Sequence, residues 1–249
     1  MSIETEEELA ALQRIGRIVA EARKEMARCA VPGIKTRELD AIGKAVLDRY
    51  GAVSAPSREY DFPGTTCISV NHVAAHGIPD DTVLRDGDLV NIDVSAELGG
   101  YYADTGETLV VGQSADSQQH ELCRSSLRAL EAGLRKAKAG AKLSGIGRAV
   151  HQSARRDGFT VIRNLGGHGI GRRLHEEPEG ILNYYDPSDG RLLTSGMVLA
   201  VETFVSTGAE IVIEDKDGWG LVPPDRSSYI AQFEHTIVIT RGEPLILTA

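Results

Sequence analysis

Residues 83–94 read VLRDGDLVNIDV and residues 192–203 read LLTSGMVLAVET. At an offset of 109, Gly87 falls on Gly196 and Asp93 on Glu202. In both segments a turn glycine leads into an apolar, β-branched run that carries one carboxylate, which reads as a strand. The relation recurs twice upstream. PGIKTRELDAIGKAVLDRYGAV (32–53) aligns without gaps to AGAKLSGIGRAVHQSARRDGFT (139–160) at an offset of 107, so that Gly33/Gly140, Lys35/Lys142 and Gly51/Gly158 coincide. His76-Gly-Ile-Pro79 falls on His175-Glu-Glu-Pro178 at an offset of 99. Three matches in nearly the same order predict two α+β halves, 1–112 and 113–249, packed into a single domain over 1–249. Polar residues present in both halves are then candidates to meet at a pseudo-twofold axis.

The local signals agree with such halves. Thr5-Glu6-Glu7-Glu8 has the form of a capping box. Leu9, Leu12, Ile15, Val19, Ala22 and Met26 follow at helical spacing until Pro32-Gly33 stops the helix. A second helix is expected from about Thr36 to Gly51, and others at about 116–138 and 144–157. Between Cys67 and Gly112 the period changes to two, with strands expected over Leu89–Val94 and Thr108–Val111. Strands dominate again towards the C-terminus.

Composition narrows the function. The 249 residues carry 27 basic and 36 acidic side chains, a net charge of −9. Basic residues occur as scattered pairs such as Arg155-Arg156, a poor basis for stable nucleic-acid binding. Apolar runs are far shorter than the roughly 20 residues of a membrane span, and the first 25 residues lack a signal-peptide core. Cys29, Cys67 and Cys123 are widely spaced, which argues against a disulfide framework or a thiolate zinc site. The expected compartment is the cytoplasm.

The recurring polar residues are carboxylates and histidines. Asp93 lies in an apolar strand, Glu202 ends an apolar run, Glu234 precedes Thr236-Ile-Val-Ile, and Asp104 sits ahead of the strand expected at 108. One such acid alone is ordinarily an edge residue or an ion-pair partner. Four in a small domain, with few Arg or Lys nearby in sequence, favour a metal, because a buried carboxylate is costly unless paired or coordinated. His168 lies in Gly-Gly-His-Gly-Ile-Gly (166–171), where glycines suggest close backbone approach. Carboxylates with imidazole suit Mn, Fe, Co or Zn. Four carboxylates and one His could hold two ions and support amide or ester hydrolysis. His76 and His175 would remain as hydrogen-bond donors to the reacting group. His72, His120 and His151 read as surface residues, and His235 should face away from Glu234. No Gly-x-Ser-x-Gly elbow is present.

Together the segments NHVAAH76GIP, VNID93 with Asp104 eleven residues on, GH168GIGRRLH175EEP, GMVLAVE202 and AQFE234HT resemble type I methionine aminopeptidases over nearly the whole chain. The resemblance implies an α/β (α+β) pita-bread fold: duplicated halves with a curved antiparallel β-sheet covered by helices. It implies two divalent ions (Co, Mn, Fe, Ni or Zn), one held by Asp104, His168, Glu202 and Glu234, the other by Asp93, Asp104 and Glu234. By the family mechanism a bridging water or hydroxide attacks the carbonyl of the first residue. Glu202 shuttles the proton, His175 stabilises the carbonyl oxygen and His76 contacts the scissile nitrogen. Phe62, Cys67 and Trp219 would line the methionine pocket. The implied substrates are protein N-termini whose second residue is small, met as nascent chains with transient ribosome contact by a cytoplasmic monomer. The chain departs from the family pattern at Thr203, where Pro is usual, at Leu174, where an aromatic is usual, and over Pro56–Tyr60. The absence of an N-terminal zinc-binding extension, and of a long insertion between Asp104 and His168, points to the short bacterial type. The alternatives are an X-Pro aminopeptidase or prolidase of the same fold, and a non-catalytic binding protein reusing it.

Overall fold

A computed structural model describes residues 1–113 and 117–249. The chain runs through α1 (Glu6–Cys29), α2 (Thr36–Tyr50), β1 (Val53–Ser54), α3 (Ala55–Tyr60), β2 (Cys67–Val70), β3 (Leu89–Leu98) and β4 (Tyr101–Val110). It continues through α4 (Ser117–Leu134), α5 (Ser144–Arg156), β5 (Thr160–Val161), β6 (Gly166–Gly169), β7 (Glu176–Leu182) and β8 (Val198–Ser206). It ends with β9 (Ile213–Glu214), β10 (Leu221–Val222), β11 (Ile230–Val238) and β12 (Leu245–Ile246). The start expected at residue 116 for the third helix lies outside the described residues. No helix among the described residues is long and apolar enough to cross a membrane.

α1 starts where expected. The Thr5 hydroxyl accepts from the Glu8 amide, but Glu8 reaches back to the Glu4 amide at 2.8 Å, so only half of the expected capping box forms. Its apolar stripe, with Ile15, Val19, Ala22 and Met26 fully buried, packs with α2 on β3 and β4. α4 and α5 cover β8 and β11 in the same way, around Leu130, Ile146, Val150 and Val201. Gly51 ends α2 in the left-handed conformation at φ 70°.

The repeats seen in sequence are repeats of register. Val53 pairs with Glu97 in the first half, and Thr160 with Ser206, the residues 107 and 109 positions on, in the second. The Gly33 amide bonds the Leu84 carbonyl as the Gly140 amide bonds that of Leu193. Lys35 bridges Val83 as Lys142 bridges Leu192. Most strands form two antiparallel ladders, β1-β3-β2 with β4 on β3, and β12-β11-β8-β6-β7 with β5 on β8, and β9 pairs with β10 apart from them.

The ladders meet where β4 faces β11, and threonines make the joint. The Thr108 hydroxyl donates to the Gln232 carbonyl at 2.8 Å and accepts from the Gln232 amide at 2.9 Å. The Thr236 hydroxyl does the same for Asp104, with both distances 2.8 Å. The register supplies the equivalence. Ser95 pairs with Asp104, and its counterpart Phe204 pairs with Gln232. The contact is therefore reciprocal about a pseudo-twofold axis, with Thr108 matching Thr236 and Asp104 matching Gln232.

β4 begins earlier than expected, so Asp104 lies within a strand rather than ahead of one. The stretch from Tyr101 to Gly106 hides its strand character because its polar side chains face the joint instead of an apolar core. α3 was not expected. Ser54 caps it by accepting from the Ser57 amide, and Pro56 occupies its first turn.

Replacing Thr108 with Val keeps the volume but leaves a backbone amide and carbonyl of Gln232 short of their partner. The expected loss is about 1–3 kcal/mol, read as a lower urea midpoint at unchanged slope. A midpoint equal to that of the unmutated chain would show that the threonine joint does not hold the halves together.

Candidate metal centre

One cavity of about 330 Å³ opens over the joint, and all ten residues singled out from sequence line it: Phe62, Cys67, His76, Asp93, Asp104, His168, His175, Glu202, Trp219 and Glu234. Each arrives from a different part of the fold. β3 carries Asp93, β4 Asp104, β6 His168, β8 Glu202 and β11 Glu234. Asp93 sits across from Cys67 on β2, and Glu202 sits across from Glu234. His168 follows two glycines because β8 runs against the backbone there. A Cβ on Gly167 would lie 2.2 Å from the Ala200 carbonyl oxygen.

Ligand atoms of Asp104, His168 and Glu234 lie within 4.8 Å of one another. These three side chains are buried, Glu234 at 2% exposure, whereas Asp93 and Glu202 are half-buried at the cavity wall. Asp104 Oδ1 and Glu234 Oε1 are buried without a hydrogen-bond partner. Two orphaned carboxylate oxygens on acids clustered with one imidazole are costly in a protein interior and suit a divalent cation. His168 completes the fit. Its Nδ1 lies 2.9 Å from the Gly169 carbonyl and must donate to it, leaving the Nε2 lone pair free as a ligand.

The electrostatics follow from burial. Desolvation, then the charges of neighbouring acids, holds Asp93 and Glu234 well above the usual carboxylate range and lifts Glu202 to about 8. Asp104 is also raised by burial, moderated by a hydrogen bond with Asp93. Burial and the adjacent His175 push His168 down to about 3, so its ring is neutral. Cys67 is held up by burial and by Asp93, so it stays a thiol in the wall and is not a nucleophile. One cation does approach: Arg23 of α1, buried, donates to the Thr105 hydroxyl at 2.7 Å, and Thr105 donates to the Glu234 carbonyl at 3.0 Å.

His76 and His175 flank the cavity mouth. His76 takes a left-handed backbone, φ 56°, uncommon for a non-glycine residue and frequent at functional sites. The His175 and His168 rings are 4.1 Å apart. Away from the acids, Phe62 packs edge-on against Trp219 with centroids 5.1 Å apart, and Cys67, Leu174 and Pro56 complete an apolar slot. His235, as expected, turns to the opposite side and meets the Thr248 hydroxyl at 2.9 Å. His72, His120 and His151 are half-buried rather than on the surface, and His72 stacks on Tyr229.

Three participants escaped the sequence reading. Tyr60, at the end of α3, brings its hydroxyl 2.7 Å from His175 Nδ1. Ser95 lines the cavity two residues after Asp93, on the same face of β3. Gln232 lies beneath the acids and bonds Glu234 Oε2 at 2.9 Å. The i, i+2 spacing of Gln232 and Glu234 on one strand was the available signal for the last. Thr203 has no part in the cavity. It faces α4 and bonds Ser126 at 2.9 Å, because alternate residues of β8 point to opposite sides.

The pKa shifts predict how stability depends on pH. A carboxylate raised on folding favours the folded state at low pH, and that contribution is lost as pH rises from its ordinary value of 4.5 through about 8 for Glu202. His168 acts oppositely, but only below its ordinary value of 6.5. Between about pH 6.5 and 8 the acids act alone, so the Tm of chelator-treated protein should fall with rising pH. Added Mn should raise Tm more at pH 8 than at pH 5. A flat Tm with no metal response would refute the centre.

Comparison with known proteins agrees with this chemistry. The profile of metallopeptidase family M24 matches residues 10–241. Methionine aminopeptidase 2 of Bacillus subtilis (strain 168) is 57% identical over 249 residues, covering 100% of this chain and 99% of that protein. The crystal structure of methionine aminopeptidase from Rickettsia prowazekii superposes with a TM-score of 0.93 at 36% identity, covering 100% of both chains. The prolidase of Pyrococcus horikoshii OT3 shares the fold alone, at a TM-score of 0.77 and 24% identity, and this chain spans 63% of it. An acid-lined centre on a duplicated scaffold, matched along the full chain, places this protein in metallopeptidase family M24, among the methionine aminopeptidases.

Proposed function

We propose that this chain hydrolyses the peptide bond after an N-terminal methionine when the second residue is small. The observation that carries the reading is the cavity itself: a cluster of acids with orphaned oxygens beside an apolar slot of side-chain size. Asp93, Asp104, His168, Glu202 and Glu234 would hold two divalent ions drawn from Co, Mn, Fe, Ni or Zn, with Asp104 and Glu234 shared between them. When bound, such ions polarise a carbonyl and lower the pKa of water.

The protein's own groups do the rest. Phe62, Cys67 and Trp219 take the methionine side chain, and Leu174 adds to the apolar wall. Glu202 accepts a proton from the attacking water and returns it to the leaving nitrogen. The Tyr60 hydroxyl lies 2.7 Å from His175 Nδ1, and by donating there it would turn a protonated Nε2 towards the carbonyl oxygen. His76 reaches the scissile nitrogen. The chain works as one catalytic domain whose halves, 1–112 and 113–249, each supply ligands. Its substrates are nascent polypeptides met in the cytoplasm, through transient ribosome contact, by a monomer without stable nucleic-acid or membrane partners.

Metal-free protein supplied with Mn or Co should release free methionine from Met-Ala-Ser. Turnover of Ala-Pro without methionine release would favour a prolidase instead. Glu202→Gln should keep the circular dichroism spectrum but lower kcat by about 10²–10⁴-fold. An unchanged kcat would remove Glu202 from the proton path.

A further inference from the structure

Gln232 is 1% exposed, sits directly under the acids, and is not among the cavity-lining residues. Its orientation is decided by a chain of hydrogen bonds that permits one answer. Asn91 Nδ2 lies 3.3 Å from the Glu107 backbone carbonyl, which can only accept, so Asn91 presents its NH₂ there. The same NH₂ meets Gln232 Oε1 at 2.8 Å. Gln232 must therefore point its own NH₂ the other way, where it donates to Glu234 Oε2 at 2.9 Å. A flipped amide would set NH₂ against NH₂ and oxygen against carboxylate. The backbone is held as firmly by Thr108. The side chain has its space only because residue 106 is glycine: a Cβ there would lie 2.0 Å from Gln232 Oε1.

The duplication sharpens the point. Gln232 occupies the position that Asp104 occupies in the first half, and Glu234 the position of Gly106. An amide thus stands where symmetry would place a fifth carboxylate. It supplies a donor and adds no charge.

We propose that Gln232 is a positioning residue of the metal centre. It occupies Oε2 of Glu234, which leaves Oε1, buried and without a partner, as the oxygen presented to the ion beside Asp104 and His168. The inference rests on the metal-centre reading above.

Metal-free protein titrated calorimetrically with Mn separates the two. If the unmutated chain binds no Mn, the metal-centre reading fails and takes this inference with it. If it binds, Gln232→Met, which keeps the length and loses the donor, should weaken Mn binding by about 10–100-fold, the range found when a partner of a metal ligand is lost. At saturating Mn the KM for Met-Ala-Ser should be unchanged, because the amide does not line the cavity. Asn91→Leu leaves Gln232 in place but releases its orientation, and should weaken Mn binding in the same direction. It decides the matter if the Met variant does not fold. A lowered urea midpoint with Mn affinity within about twofold of the unmutated chain would mean that Gln232 only packs the joint, and would overturn the proposal.

Discussion

Two threonine hydroxyls carry the architecture. A hydroxyl both donates and accepts, so one side chain can satisfy the amide and the carbonyl of a facing residue. Thr108 does this for Gln232 and Thr236 does it for Asp104. The ladders of the two halves are thereby joined through side chains, with the strand edges of β4 and β11 held in fixed register. Asp104 and Glu234, 130 positions apart in the chain, come together at this joint, and His168 closes on them from the neighbouring β6. Had the halves slipped by one residue, every side chain of one strand would point away from the cavity.

The joint also explains how so much negative charge is tolerated in one place. Burial favours the protonated form of these acids and raises their pKa. The surrounding groups keep the carboxylates in position without neutralising them. Gln232 donates to Glu234, the Thr236 hydroxyl grips the Asp104 backbone, and Arg23 reaches the Glu234 backbone only through Thr105. A direct Arg–carboxylate pair would have consumed the oxygens that a cation needs. The arrangement places the cost of burying charge on the metal-free state, a cost that a divalent ion would relieve.

Much of this was legible in the sequence because the duplication is a duplication of hydrogen-bond register, and register leaves a trace in turn glycines and apolar runs. Gly87 and Gly196 marked equivalent turns, and Asp93 and Glu202 proved to be true counterparts on β3 and β8. The remaining acids and histidines stand out by their place beside apolar runs and in glycine-rich turns, the resemblance to methionine aminopeptidases adds Phe62, Cys67 and Trp219, and all of these line one cavity. What was missed had no periodic signal. β4 was read as starting late because its residues alternate towards a polar joint. α3 is only six residues long. Tyr60 and Gln232 act on His175 and Glu234 across 115 positions and across two, and neither side-chain type stands out on its own.

The sequence by itself determined the two halves, the strands and helices that build them, and the set of acids and imidazoles available for chemistry, because these depend on local pattern and on repetition. Only the tertiary structure decided which polar residues are symmetry mates. Asp104 answers to Gln232 and not to Glu234, and that follows from strand register, which no linear alignment of the two halves displays. It also decided which oxygen of Glu234 is left without a partner. That depends on the direction of single hydrogen bonds from Asn91 and Gln232, and those directions are set by packing between segments far apart in the chain.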